Sequence, residues 1–90
     1  MKEVPLASLP YEVQTTFDLI KTGGTLPYKK DGSTFKNLEK VLPVNTLGYY
    51  REYTVPTPKI NNRGNRRLVI GKGGEVYYTD DHYNSFQKVI

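Results

Sequence analysis

The sequence predicts an α+β fold, with one N-terminal helix packed on a small antiparallel β-sheet. Two observations carry this. Apolar residues recur at helical spacing at Val13, Phe17 and Ile20, giving one apolar helix face. From residue 49 onward the chain turns to short β-branched and aromatic stretches separated by Gly, Pro and Asn. A helix followed by turn-linked strands belongs to the α+β class.

The elements follow in order. "LPYEVQTTFDLIKTGG" reads as the helix: Pro10 suits a first turn, Glu12 suits the positive end of the helix dipole, and Gly23 and Gly24 stop it. "TLPYKKDGSTFKNLEKVLP" reads as loop, with a short extended piece near Phe35. "YYREYTV" (49–55) reads as a strand with Tyr50, Glu52 and Thr54 on one face. "RRLVIG" (66–71) puts Arg67 and Val69 on one face and Leu68 and Ile70 on the other. "GKGG" joins it to "EVYYTD" (75–80) as a hairpin, and "HYNSFQKVI" supplies a candidate last strand. No repeat, linker or low-complexity run divides the chain, so residues 1–90 are expected to form one domain.

Composition narrows the function. A chain of 90 residues buries only about 60% of its unfolded surface, so the core is small. There is no cysteine, hence no disulfide framework and no thiol chemistry. No apolar run approaches the roughly 18 residues a spanning helix needs, and "MKEVPLASLP" has no apolar segment of signal-peptide length. The net charge of +4 and a pI near 9.3 favour polyanionic partners.

The candidate chemistry lies where charge interrupts the strands. Three of the four arginines fall within residues 63–67. A lone glutamate in a tyrosine-rich strand ordinarily points to solvent, and a lone histidine is ordinarily structural. Here Glu52, Arg67 on a neighbouring strand, and His82 directly after a strand together supply a carboxylate base, a titratable acid and a fixed cation. Phosphoryl transfer at a ribose needs those parts: a base for the 2′-hydroxyl, an acid for the leaving 5′-oxygen, and cations for the phosphorane-like transition state. Arginine suits the last task because its planar fork binds two phosphate oxygens at once.

With "GYYREYTV", "TP" followed by "RGNRR", "YYTDDHYNSF", "LPYKKDG", "FKN.E" and "VLP" in this order, the chain resembles the ribonuclease Sa-like branch of the microbial guanyl-specific ribonucleases, the superfamily that includes barnase. The resemblance runs from "LASLP" to Phe86. It implies a metal-independent endoribonuclease that cuts single-stranded RNA on the 3′ side of guanosine through a 2′,3′-cyclic phosphate, with no cofactor. By position it implies Glu52 as general base, His82 as general acid, Arg63 and Arg67 as phosphate ligands, and Tyr83 as a hydrogen-bond donor to the phosphate. Glu39 would accept from guanine N1–H and the exocyclic amine. Backbone amides around Lys36, Asn37 and Leu38 would read the other guanine edge, in a loop that begins at Phe35. Arg66 should face away from this set. The resemblance also implies a monomer, a secreted mature domain, and a possible barstar-like acidic inhibitor.

The chain departs from the pattern in places. Pro5 stands near the first position of a disulfide that joins the ends of one such relative, and Leu38 replaces an arginine able to stack on the base. Lys36 adds charge to the base-reading loop. Two other readings compete: a non-catalytic basic module that binds nucleic acid, and the ribonuclease tip of a larger secreted toxin. The first has no use for Glu52 and His82. "GKGG" lacks phosphate-loop spacing, and the adjacent aspartates and histidine of "DDH" (80–82) lack metal-ligand geometry. Lys29 and Lys30 read as a solvated loop pair within reach of an RNA backbone.

Overall fold

The computed structural model describes residues 1–90. The chain forms β1 (Glu3–Val4), a short 3-10 turn (Leu6–Ser8), α1 (Tyr11–Thr22), β2 (Ser33–Phe35), β3 (Tyr50–Thr54), β4 (Arg67–Gly71), β5 (Val76–Thr79) and β6 (Gln87–Val89). All six strands join one sheet in the order β1-β6-β5-β4-β3-β2. The α+β expectation holds, with one addition. The sheet is antiparallel except at its edge, where β1 pairs parallel to β6, matching Glu3 with Lys88 and Val4 with Val89.

Helix α1 starts one residue later than its sequence suggests. Pro10 is the cap, and its carbonyl accepts the N–H of Val13 at 2.9 Å. The helix ends at Gly23, whose φ of 70° lets its N–H reach the Ile20 carbonyl while the N–H of Gly24 reaches Leu19. Its inward face buries Thr16 and packs Val13 against Val55, Leu68 and Tyr78, with Phe17 and Ile20 partly covered beside them. The opposite face of the sheet carries a second core of Leu42, Tyr50, Val69, Tyr77 and Phe86. Both faces are therefore packed, and the second core forms the floor on which the functional side chains stand.

The β4–β5 hairpin closes as expected: the N–H of Gly71 donates to the Glu75 carbonyl at 2.9 Å, and Gly74 adopts a φ of 92°. The Tyr49 hydroxyl donates to Glu75 at 2.7 Å across this hairpin. At the sheet edge the chain ends are joined by backbone alone. Lys88 N–H donates to Lys2 at 2.9 Å, Ile90 N–H to Val4 at 2.9 Å, and Leu6 N–H to Ile90 at 3.3 Å.

The buried tyrosines make the fold sensitive to alkali. Burial raises the phenols of Tyr77 and Tyr78 above the ordinary 10.0, and the hydrogen bond to Glu75 raises Tyr49. Above pH 10.0 the unfolded phenols ionise while the folded ones keep their protons, so the unfolded state binds fewer protons and stability falls as pH rises. Urea midpoints should decline through the alkaline range, and Tyr77→Phe should lessen the decline. A midpoint independent of pH there would contradict this account.

Candidate active site

The site is built on the face opposite α1. Alternation along β3 turns Tyr50, Glu52 and Thr54 to that face, and the register places Thr54 opposite Arg67 and Arg67 opposite Thr79. Arg67 is only 2% exposed. Its Nη1 donates to the carbonyls of Arg66 at 2.8 Å, Gly64 at 3.0 Å and Arg63 at 3.4 Å. Its Nε is buried without a partner. The guanidinium lies 6.0 Å from the centre of the Tyr83 ring.

Arg63 reaches the same face from the loop before β4. Its Nε donates to the Thr54 hydroxyl at 2.9 Å and its Nη2 to Glu52 Oε1 at 3.2 Å. One arginine thus orients the carboxylate expected to act as base. Arg66 faces the other way, 3.4 Å from Glu12 of α1, as the strand alternation implied.

His82 and Tyr83 sit in a tight loop after β5, both with positive φ (54° and 73°). Two consecutive residues in that region are held only where neighbours over-determine them. The Thr79 hydroxyl donates to Asp81 Oδ1 at 2.8 Å and accepts the N–H of Tyr83 at 3.2 Å and of Asp81 at 3.3 Å. The Asp81 carboxylate also accepts the N–H and hydroxyl of Ser85. The N–H of His82 donates to the Asn65 carbonyl at 3.1 Å, which ties this loop to the arginine loop. The Ser85 hydrogen bonds, followed by that of Thr79, hold Asp81 below its ordinary carboxylate value. Burial, then the nearby Glu52 charge, pushes Tyr83 up to about 12, against the opposing pull of Arg67. The Tyr83 phenol therefore stays a neutral donor across the working pH range.

Phe35 closes the other wall, 4.9 Å from Tyr83 and 5.9 Å from Phe86 between ring centres. Beyond it the loop is shaped by Asn37, whose φ is 56°. The Asn37 side-chain amide donates to the Leu42 carbonyl at 2.9 Å and accepts the Leu42 N–H at 3.1 Å. Its side chain is thus used inside the loop, while the N–H groups of residues 37 and 38 make no backbone hydrogen bond. Lys36, Leu38 and Glu39 are exposed, Leu38 by 81%.

A cleft of about 400 Å³ gathers these parts: Phe35, Lys36, Asn37, Leu38 and Glu39 line it together with Glu52, His82 and Tyr83. Arg63 and Arg67 border it through Glu52 and Tyr83 rather than lining it. Asn84 and Val41 also line it and were not singled out in the sequence. Thr54 was placed on the Glu52 face but not given its supporting role, and Thr79, Asp81 and Asn65 were missed as supports. The Thr-x-Asp-x-x-x-Ser spacing in "TDDHYNS", a pattern of side-chain-capped turns, was the available signal for two of them.

A carboxylate and an imidazole line one cleft, with two arginines at its border, and these are the parts that phosphoryl transfer needs. The chain belongs to the ribonuclease family, whose sequence profile matches residues 1–90. It is 52% identical over 89 residues to guanyl-specific ribonuclease St of Saccharopolyspora erythraea, covering 99% of this chain and 88% of that one. It is 47% identical over 87 residues to guanyl-specific ribonuclease Sa of Kitasatospora aureofaciens, covering 96% and 91%. The crystal structure of ribonuclease Sa2 with guanosine-2′-cyclophosphate superposes with a TM-score of 0.95 at 43% identity, covering 100% of this chain and 96% of that one.

The Thr79–Asp81–Ser85 clasp should matter to turnover more than to binding. Asp81→Ala removes three hydrogen bonds to a partly exposed carboxylate; it should lower stability by about 1–3 kcal/mol and release His82 and Tyr83 from their left-handed conformations. The lowered Asp81 value gives stability above the unfolded carboxylate range that is lost as pH falls through the folded value. The variant's melting temperature should therefore lose part of the acid-side slope, and kcat on a guanosine dinucleotide should fall more than KM changes. Equal kcat for variant and wild type would remove Asp81 from the support of the site.

Proposed function

We propose that this protein is a guanyl-specific endoribonuclease that cuts single-stranded RNA on the 3′ side of guanosine. The observation that carries this is the single cleft shared by the Phe35–Glu39 loop and by Glu52, His82 and Tyr83. In the first step Glu52 takes the proton of the 2′-hydroxyl and the freed oxygen attacks phosphorus. The bond to the 5′-oxygen breaks and His82 protonates that leaving oxygen. The product is a 2′,3′-cyclic phosphate. In the second step His82 takes a proton from water, the water oxygen opens the ring, and Glu52 returns a proton to the 2′-oxygen.

Arg63, Arg67 and Tyr83 meet the phosphate oxygens as charge grows on them. The buried, unpartnered Nε of Arg67 supports this, since a phosphate oxygen is the kind of acceptor that it lacks. Glu39 accepts from guanine N1–H and the amine, while backbone amides of residues 36–38 donate to O6 and N7. Adenine carries an acceptor at N1 and would meet Glu39 lone pair to lone pair. No step uses a metal, so activity persists in a chelator. A secreted monomer, held in check by an acidic barstar-like inhibitor that plugs the basic cleft, belongs to the same proposal; the charge of +4 supports it.

Glu52→Gln and His82→Gln should each lower kcat on GpC by about two to four orders of magnitude. Near-wild-type turnover by either variant would sink the acid–base assignment. Glu39→Ala should cost GpC cleavage about 3 kcal/mol in kcat/KM, the scale of lost hydrogen bonds to a charged group, and barely change the poor cleavage of ApC. A GpC-to-ApC ratio that survives loss of the carboxylate would take base choice away from Glu39.

A further inference from the structure

Lys29 and Lys30 are a basic pair that the site above leaves unused. Both are exposed and neither forms an ion pair; the salt bridges of the structure join Arg63 to Glu52 and Arg66 to Glu12. The adjacent carboxylate, Asp31, is committed to the backbone. Its Oδ1 accepts the N–H of Thr54 at 2.7 Å and its Oδ2 the N–H of Tyr28 at 3.2 Å. The turn is bound to β3 a second time, because the Gly32 N–H donates to the Glu52 carbonyl at 2.8 Å. The Lys30 carbonyl accepts the N–H and hydroxyl of Ser33 at 3.0 Å and 2.7 Å. A solvated loop needs none of these ties. They fix the roots of two free ammonium groups relative to Glu52.

The position is as informative as the rigidity. The β2–β3 register sets Phe35 opposite Tyr50 and Ser33 opposite Glu52. The Phe35–Glu39 loop therefore leaves one end of this strand pair and the Lys29–Lys30 turn leaves the other, with Glu52 between. Arg63 bridges the gap: bonded to Glu52, its guanidinium lies 6.0 Å from the centre of the Tyr28 ring. The Tyr28 hydroxyl donates to the Asn62 carbonyl of the arginine loop at 3.4 Å.

We propose that the Tyr28–Lys30 turn is a second RNA-binding subsite, at which Lys29 and Lys30 hold backbone phosphates that flank the cleaved linkage. It rests on the ribonuclease reading above. A dinucleotide has one phosphate, which the cleft occupies, so the subsite acts only on longer chains. Its ligand is the phosphodiester backbone, so it adds affinity without base preference.

The test compares wild type, the double variant Lys29→Ala/Lys30→Ala and the charge-matched control Lys2→Ala/Lys21→Ala. Substrates are GpC and a short single-stranded RNA with one central guanosine, each at several salt concentrations. The Lys29/Lys30 variant should lose about tenfold in kcat/KM on the longer RNA at low salt and stay within about twofold on GpC. Its plot of log kcat/KM against log salt should be shallower by about 1.4, from about 0.7 per phosphate contact on a single strand. The control should match wild type on both substrates. An equal loss on GpC, no loss on the longer RNA, or the same loss in the control would overturn the subsite while GpC cleavage by the wild type leaves the ribonuclease reading standing. A wild type that cleaves neither substrate would sink both.

Discussion

The burial of the Arg67 guanidinium organises the active face. A charged group removed from water must have its donors met, or the loss of hydration goes uncompensated. No carboxylate bonds to Arg67. Instead three carbonyls, from residues 63, 64 and 66, converge on its Nη1. The chain must wrap tightly to bring them together, and Gly64 permits it. Its φ is 64°, and a Cβ there would stand 2.8 Å from the Thr57 hydroxyl. The same wrapping delivers Arg63 to Glu52 and presents the Asn65 carbonyl to the N–H of His82. The expected base and the expected acid are thus placed by one loop, and that loop takes its shape from one buried cation.

This arrangement needs a sheet that does not shift. A slip of one residue would turn Glu52 and Arg67 to the helix side. The register is held by apolar packing on both faces: Leu68 and Tyr78 against α1, Val69 and Tyr77 against Tyr50 and Phe86. At the edge, the parallel β1–β6 pairing sews the chain ends together by backbone hydrogen bonds, with no disulfide. Backbone pairing constrains only the folded state, whereas a cross-link also restricts the unfolded chain. Stability therefore rests on folded-state contacts: the two cores, the strand register and the hydrogen-bonded loops.

What could be read from the sequence was local. Period-2 alternation put Glu52 and Thr54 on one face and separated Arg67 from Arg66, and the structure keeps both assignments. The hairpin at "GKGG" and the end of α1 at Gly23 were likewise written in short spacings. The helix start was placed one residue early because Pro suits both a cap and a first turn. The β1–β6 pair was not legible: a two-residue strand has no period, and its partner lies at the far end of the chain. Nor were the left-handed conformations of His82 and Tyr83, since a histidine adopts one only in a minority of cases and a tyrosine seldom does. The network from Thr79 and Asp81, with the Asn65 carbonyl on the His82 N–H, holds them there. Tyr28 escaped notice for a similar reason, because its contact with Arg63 exists only once two distant loops meet.

The Phe35–Glu39 loop, proposed to read the base, is built on a different principle from the arginine face. Its tip is exposed: Lys36, Leu38 and Glu39 all face solvent, so burial cannot fix their positions. Shape comes from beneath. Phe35 is clamped by Tyr83 and Phe86, and Asn37 staples the loop through paired hydrogen bonds to Leu42, itself buried. A backbone held in this way keeps its amides at set positions before a base arrives, so less conformational entropy is lost on binding. Leu38 adds no planar surface to such a loop. In the proposed reading, discrimination then comes from the hydrogen-bonding edge of the base, met by Glu39 and the backbone, rather than from stacking, which every base can offer alike.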